Sequence, residues 1–234
     1  MSDDRKIRDV VVPLIKGGWE GNDFKFGAIS GTAFLIGRRG FAITAAHVVD
    51  QVESATDAVL GFVDSRNEWI AVRVLSFETH STEDVAVAQL ETSPWPSWLV
   101  ISDRSEHQSC DYEFWGYPIS VAEISAKYEA HKMQSPDLVY TRGYIRRRIS
   151  RSLPMSIYRG KSFYEISELT GEGCSGGPLI NRRSVGRPTW DVCGIHIGDC
   201  VAGFSAAYAV RSDSFYSWCP SLMGRSLREE SVDL

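Results

Sequence analysis

The sequence predicts an all-β protein, and three observations support this prediction. Short apolar or alternating runs bounded by turn residues recur along most of the 234-residue chain. Few stretches have the period of about 3.6 residues that marks an amphipathic helix. Many short strands at regular spacing are typical of a β-barrel or β-sandwich. With 43% hydrophobic and 24% charged residues, the chain also has the composition of a globular protein that buries a full core.

The predicted strands fall into two groups along the chain. The first group consists of the runs 9–15, 31–37, 40–49, 58–63, 69–77 and 84–90, and the second of the runs 112–119, 138–145, 162–169, 177–180, 191–197 and 204–210. Between the groups, residues 91–110 contain two prolines and a polar cluster, which indicate a link. We therefore expect an N-terminal β domain over residues 1–95 and a C-terminal one over residues 96–234.

Two segments carry helix signals. Residues 45–52 could form one or two helical turns directly after a strand. Residues 212–219 begin with a serine and an aspartate that suit a helix N-cap, and Pro220 follows them. We therefore expect a short C-terminal helix over residues 212–219.

Charge and hydropathy argue against two classes of partner. The net charge of −5 gives no global attraction to nucleic acid or to an anionic membrane. The arginine-rich run 142–151 leaves a nucleic-acid site as an alternative, but a solvated face or a partner-protein site fits an acidic protein better. The start of the chain does not resemble a secretory signal, and no apolar run approaches the roughly 18 residues of a spanning helix. We expect a cytoplasmic protein.

The five cysteines do not form a disulfide or zinc pattern. Their number is odd, their spacing is wide, and none are spaced C-x-x-C. We therefore expect reduced, mostly buried thiols and neither a metal nor a cofactor. A bridge between Cys193 and Cys200 is the alternative.

Three segments carry candidate catalytic groups. His47 ends a strand in "GFAITAAHVV", where small neighbours leave room around an imidazole whose ordinary pKa of about 6.5 suits a general base. Asp84 opens the strand "DVAVAQL" and could accept a hydrogen bond from a histidine, with Glu83 as its rival. Ser175 lies in "GEGCSGGPLI", where glycines permit a tight turn that exposes the hydroxyl. Taken singly, each residue also fits a purely structural role.

His47, Asp84 and Ser175 occur in the order of the chymotrypsin-type triad. "TAAHVV", "DVAVAQL" and "GCSGGPL" resemble the histidine, aspartate and nucleophile motifs of the trypsin/chymotrypsin-like serine proteases. "FWGYP" and "GYIRRRIS" resemble the first strands of that family's second barrel. The resemblance implies two six-stranded antiparallel β-barrels with an active site in the crevice between them.

The resemblance also implies a role for each group. His47 accepts the Ser175 proton and later protonates the leaving amine, while Asp84 fixes the imidazole tautomer and stabilises the imidazolium. The Gly173 and Ser175 N–H groups bind the oxyanion of the tetrahedral intermediate. The implied activity is that of a serine endopeptidase that cleaves a protein or peptide through an acyl-enzyme.

The chain departs from the digestive members of the family at two points. Cys174 replaces the aspartate before their catalytic serine, and the chain has no "R/K-IVGG" start. We therefore expect activity without zymogen cleavage, as in the bacterial high-temperature-requirement proteases. Viral relatives use a thiol nucleophile, but Ser175 fills the position of that thiol. Cys174 is thus expected to be a packed or oxidation-sensitive neighbour.

The segment after the serine predicts a substrate pocket. "GIHIG" followed by "GFSAA" is similar to the "GxHxG...GFxAA" pattern of picornavirus cysteine proteases and to the histidine site of glutamyl endopeptidases. The resemblance implies that His196 and Thr170 recognise glutamine or glutamate before the scissile bond, with Ile197 and Gly198 in the same site. Their hydrogen-bond donors suit an amide or carboxylate oxygen. Asp199 keeps a lysine or arginine preference open, and a packed core histidine is the structural alternative.

Two expectations concern the whole protein. A catalytically silent protease fold that binds extended peptides by strand addition is the alternative function, although no triad residue is missing. An intracellular protease without a visible adaptor domain needs restraint. We therefore expect limited cleavage of an intracellular protein, switched by a regulatory partner.

Overall fold

Two β-sheets make up most of the computed structural model, which describes residues 6–21, 23–52, 54, 58–63, 69–91, 95–119, 137–153, 157–200 and 206–233. The first sheet contains β1 (Val11–Glu20), β2 (Asp23–Ile36), β3 (Phe41–Thr44), β4 (Ala58–Val63), β5 (Trp69–Thr79) and β6 (Ala86–Leu90). The second sheet contains β7 (Leu99–Ile101), β8 (Asp111–Gly116), β9 (Val139–Ser150), β10 (Ser162–Ile166), β11 (Pro178–Asn181), β12 (Trp190–Cys200) and β13 (Ala206–Arg211). The all-β prediction is confirmed.

The first sheet is a closed six-stranded barrel in the order β1, β2, β3, β6, β5, β4. All its pairings are antiparallel, and β1 closes the ring against β4. Apolar side chains such as Leu14, Phe34, Ile43 and Val87 are fully buried and fill the core. Because Thr44 at the end of β3 lies opposite the start of β6, the residues after β3 lie beside those before β6.

The second sheet has seven strands in the order β11, β8, β9, β10, β13, β12, β7, and a further pairing joins β11 to β12. The second sheet has one strand more than the predicted six-stranded barrel, because β7 pairs in parallel with β12. That strand lies within residues 91–110, which the sequence predicted as a link. Its three residues are almost fully buried, and their packing against β12 explains why this part of the link is extended.

Two short α-helices accompany the sheets in the described part of the chain. α1 (Ala46–Val49) falls inside the predicted helical segment 45–52. The predicted helix over residues 212–219 is wrong, since only a 3₁₀ turn at Ser212–Ser214 forms there. The C-terminal helix is α2 (Leu227–Ser231), where Ser226 and Glu229 form a reciprocal capping box that the sequence analysis overlooked. No helix among these residues has the length and apolar character to cross a bilayer.

Candidate active site

His47 and Asp84 lie side by side because β3 is paired with β6. The Nδ1 atom of His47 is 2.8 Å from Oδ2 of Asp84, and the backbone N–H of His47 donates to Oδ1 at 2.9 Å. The Asp84 side chain is fully buried, whereas the His47 side chain is 17% exposed. An ionised carboxylate only accepts hydrogen bonds, so the proton of a neutral His47 sits on Nδ1. Nε2 of this partly exposed ring is thus unprotonated and can accept a hydrogen bond.

Glu83, which the sequence left as the alternative to Asp84, points toward the start of β10 and not toward His47. It is 7% exposed, and its carboxylate accepts hydrogen bonds from the backbone N–H groups of Lys161 (3.3 Å) and Ser162 (3.4 Å). Burial raises the pKa of Glu83, and these hydrogen bonds only partly offset that effect. Glu83 therefore fastens the start of β10 and leaves the contact with His47 to Asp84.

Ser175 is brought next to the His47 segment by the loop of residues 170–177, which connects β10 to β11. Gly176 has a φ of 92°, and a Cβ atom there would lie 2.0 Å from the Thr32 carbonyl oxygen and 2.2 Å from the Thr44 hydroxyl. The Ser175 carbonyl also accepts a hydrogen bond from the Thr32 N–H at 2.8 Å. Only glycine permits this close approach of the 170–177 loop to the first barrel.

The Ser175 hydroxyl is turned toward the second sheet. Its Oγ donates to the Ile197 carbonyl at 3.1 Å. Within the described residues, no hydrogen bond joins Ser175 to His47. The structure therefore brings His47 and Asp84 into direct contact and holds the Ser175 loop against the first barrel, with the Ser175 hydroxyl directed to β12.

The 170–177 loop also holds the two backbone N–H groups predicted to bind an oxyanion. The Glu172 carbonyl accepts a hydrogen bond from the Ile119 N–H at 2.8 Å. Because a trans peptide directs its C=O and N–H in opposite directions, the Gly173 N–H points away from Ile119. The Gly173 carbonyl accepts the Thr32 hydroxyl at 2.9 Å. Across the described ranges, neither the Gly173 nor the Ser175 N–H has an acceptor, so both can receive a ligand oxygen.

Cys174 is a packed thiol, as the sequence predicted. It is 1% exposed, and its Sγ lies 3.3 Å from the Thr170 carbonyl oxygen and close to Gly116. Burial raises the pKa of this thiol to about 12, which leaves almost no thiolate at neutral pH. Cys193, the first half of the alternative disulfide, is a free thiol buried beside the Leu179 carbonyl.

The predicted pocket residues meet next to the serine. His196 is fully buried, and its Nε2 lies 3.0 Å from the Thr170 hydroxyl and 3.3 Å from Oδ1 of Asp199. The Oδ2 atom of Asp199 accepts the N–H groups of Thr170 (3.0 Å) and Gly171 (2.8 Å). Desolvation acts to raise the pKa of Asp199, but hydrogen bonds from His196 and these two amides outweigh it and lower the pKa.

Gly198 and Tyr158 form a further wall of the site. The Tyr158 ring lies 5.2 Å from the His47 ring, centroid to centroid. A Cβ atom at Gly198, whose φ is 138°, would lie 2.0 Å from the Tyr158 hydroxyl. An aromatic side chain thus covers the gap between the histidine and the end of β12.

Three residues of the site escaped the sequence analysis: Thr32, Ile119 and Tyr158. Each contacts the site from a segment outside the three motifs, through backbone, hydroxyl or ring contacts that leave no periodic pattern. A glycine directly before Thr32 was the one available signal of close chain approach. In the described part of the chain, no cluster of three or more His, Cys, Asp or Glu residues could hold a metal ion.

Comparisons with known proteins bear on this arrangement. Residues 31–192 match the family model of the trypsin-like peptidase domain. No curated protein matches the chain. Three similar solved structures are the MamO protease domain of Magnetospirillum magneticum, the active form of the Rv3671c protease of M. tuberculosis, and the HtrA-type protease AlgW with a tripeptide. Their sequence identities to this chain are 14%, 21% and 12%.

The structural similarity extends over most of the chain. The TM-scores are 0.60 for MamO, 0.58 for Rv3671c and 0.59 for AlgW. The alignments cover 89%, 87% and 87% of this chain, and 94%, 76% and 56% of the three other chains, in that order. These neighbours share the chymotrypsin-like fold. The resemblance of the pocket to glutamyl endopeptidases and picornavirus proteases is outside these findings and stays a prediction. Because the family model spans more than half of the sequence, the chain belongs to the trypsin-like peptidase family.

Proposed function

We propose that the protein is a serine endopeptidase that cleaves peptide bonds with His47, Asp84 and Ser175. The observation that carries this proposal is the buried Asp84 carboxylate, which holds the His47 ring at Nδ1 while the neighbouring loop presents Ser175. Membership of the trypsin-like peptidase family supports a protease. The order of the three residues in the sequence supports the same assignment of roles.

The chemistry begins with the Ser175 hydroxyl. We expect rotation about its Cα–Cβ bond, from one staggered rotamer to another, to move the hydroxyl from the Ile197 carbonyl toward His47 Nε2. His47 then takes the hydroxyl proton as Oγ attacks the scissile carbonyl. The Gly173 and Ser175 N–H groups stabilise the oxyanion. His47 gives its proton to the leaving nitrogen, and collapse of the intermediate releases the amine and leaves an acyl-enzyme. Water hydrolyses the ester with His47 again as the base.

The enzyme is active without cleavage of its N-terminal segment. The 170–177 loop is fastened by the Ile119 N–H and the Thr32 hydroxyl, so no newly formed terminal amine is needed to order it. Cys174 at the preceding position is buried as a neutral thiol and offers no charge for such a terminus to bind. Full-length and N-terminally trimmed protein should therefore show equal activity.

The substrate is a protein or peptide with glutamine or glutamate before the scissile bond. His196 and Thr170 provide hydrogen-bonding groups next to Ser175, and Ile197 and Gly198 offer the adjacent backbone of β12. The setting is the cytoplasm, where the enzyme makes limited cuts in an intracellular protein and a regulatory partner controls it. The free thiols of Cys110, Cys174, Cys193 and Cys219 favour this setting, because reduced cysteines are typical of the cytosol.

A catalytically silent peptide-binding module is the second candidate. It is favoured by one observation, the hydrogen bond from the Ser175 hydroxyl to the Ile197 carbonyl in place of His47. In that case the exposed edges near the site would bind an extended peptide without cleavage.

A fluorophosphonate probe separates the two candidates, because it reacts with an activated serine and not with a silent one. We expect labelling of the wild type and of Cys174→Ala, and none of Ser175→Ala. Asp84→Asn should slow the reaction by a factor of about 10⁴, the scale known for loss of the triad aspartate. Glu83→Gln is the matched control and should react at the wild-type rate. An unlabelled, correctly folded wild type, or labelling that depends on Cys174, would refute the proposed mechanism.

A further inference from the structure

The Asp199 carboxylate connects the two segments that form the predicted pocket, β12 and the 170–177 loop. Asp199 extends from β12, two residues after Ile197, whose carbonyl binds the Ser175 hydroxyl. Its Oδ2 atom accepts the N–H groups of Thr170 and Gly171, which belong to the 170–177 loop. The Asp199 side chain is 14% exposed, so it is partly open to a ligand. A fixed negative charge thus lies where a substrate side chain would enter.

The one N–H donor of the neutral His196 ring is used for a hydrogen bond within the protein. Its Nδ1 is buried and has no partner within the described residues, whereas Nε2 lies within hydrogen-bonding distance of Thr170 and Asp199. A buried N–H without an acceptor is costly, so the neutral ring carries its proton on Nε2. That proton is directed to the Asp199 carboxylate or the Thr170 oxygen. The imidazole therefore lacks a donor reserved for a substrate carboxylate.

The groups left for a substrate are one donor and one acceptor. Because His196 Nε2 carries a proton, the Thr170 hydroxyl does not donate to it, and the hydroxyl proton is available for a substrate oxygen. A carboxylate has about four acceptor positions, and Asp199 uses three of them for Thr170, Gly171 and His196. The remaining position can accept one N–H. A primary amide offers both a carbonyl oxygen and N–H groups, which matches this pair.

The charge balance of the pocket points the same way. Among the described residues, no lysine or arginine forms an ion pair with Asp199, whose neighbour is the His196 ring. Against desolvation, the hydrogen bonds from His196 and from the Gly171 and Thr170 amides lower the pKa of Asp199 and keep the carboxyl ionised at neutral pH. A substrate carboxylate would meet this negative charge in a partly buried site, where like charges repel strongly. A lysine would satisfy Asp199 but would leave the Thr170 hydroxyl without an acceptor.

We propose that Asp199 is a specificity-determining residue, which accepts a hydrogen bond from a glutamine amide before the scissile bond and repels glutamate. This inference rests on the proposed endopeptidase function and narrows its substrate class. His196 and Thr170 alone would recognise both glutamine and glutamate, whereas the charge of Asp199 distinguishes the two.

The test compares peptides that differ at one position. Their flanking residues come from the fastest-cleaved member of a random peptide library, and the residue before the scissile bond is glutamine, glutamate, lysine or norleucine. We expect kcat/KM for glutamine to exceed that for glutamate by a factor of about 10 or more, the lower end of the discrimination expected when a buried polar group is left unpaired. Norleucine and lysine should also be poor. Asp199→Asn should bring the glutamine-to-glutamate ratio toward one, chiefly through faster cleavage after glutamate.

Asp103→Asn is the matched control, because Asp103 is an exposed acid and its removal changes the net charge equally. It should leave the ratio unchanged. Fluorophosphonate labelling of Ser175 in each variant reports the proposed function separately from the pocket. Absence of labelling in the folded wild type would refute the endopeptidase proposal. With labelling intact, a wild type that prefers glutamate or lysine, or a ratio that Asp199→Asn does not alter, would overturn the role of Asp199 alone.

Discussion

Thr32 is the residue through which the first barrel holds the 170–177 loop, and its removal has a magnitude that the structure allows us to estimate. Its side chain is fully buried, donates to the Gly173 carbonyl at 2.9 Å and accepts the Tyr117 N–H at 3.0 Å. Thr32→Val preserves the shape of the side chain but removes both hydrogen bonds. Two buried polar groups are then left unpaired.

Each unpaired group costs about 1–3 kcal/mol, so Thr32→Val should lower the free energy of unfolding by about 2–6 kcal/mol. Thr32→Ser is the control, because it keeps the hydroxyl and loses one buried methyl group, at a cost of about 1 kcal/mol. The measurement is urea unfolding of both variants, with the m-values compared to establish that the same transition is followed. The valine variant should be clearly the less stable of the two.

The same substitution tests the positioning of the oxyanion site. Without the Thr32 hydroxyl, the Gly173 carbonyl loses the hydrogen bond that fixes its peptide plane. The rate of fluorophosphonate labelling should therefore fall in the valine variant at temperatures where it is fully folded, and should be restored in the serine variant. If valine and serine give equal stability and equal labelling rates, the assigned role of Thr32 is incorrect.

Two further predictions concern space and reactivity around the site. Gly198→Ala should reduce both stability and activity, since its Cβ would lie 2.0 Å from the Tyr158 hydroxyl; Gly224→Ala, also at positive φ but in open space, should cost only about 1 kcal/mol. Native-state alkylation with iodoacetamide at about pH 8 should modify the exposed Cys219 well before Cys174, because burial raises the pKa of the Cys174 thiol to about 12. Peptide mass mapping measures the order of modification. The opposite order would contradict the packing described for Cys174.

Much of the fold could be predicted from the sequence because strand periodicity and turn residues are local signals. All twelve predicted runs overlap strands of the structure. β7 was missed because its three residues follow a proline-containing stretch, and only burial against β12 makes them a strand. The helix predicted over residues 212–219 was wrong because an N-cap signal is weak without a continuing apolar face, whereas the capping box at Ser226 is present in the sequence and was overlooked.

For the candidate site, the sequence by itself predicted which residues carry the proposed chemistry. His47, Asp84 and Ser175 each lie in a short motif, and their order supports their proposed roles. Motifs, however, do not contain distances. Only the tertiary structure shows that Asp84, and not Glu83, contacts His47. It also shows that the Ser175 hydroxyl donates to the Ile197 carbonyl and that the 170–177 loop is hydrogen-bonded to the first barrel.

The pocket shows the same division. The pattern around His196 predicted a pocket residue, but it could not show what the ring binds. The structure decided that its Nε2 faces the protein's own Asp199 and Thr170. The physical reason is that hydrogen bonds and charge contacts act over a few ångströms between segments far apart in the chain. Strand pairing and the contacts of the connecting loops decide which segments come that close.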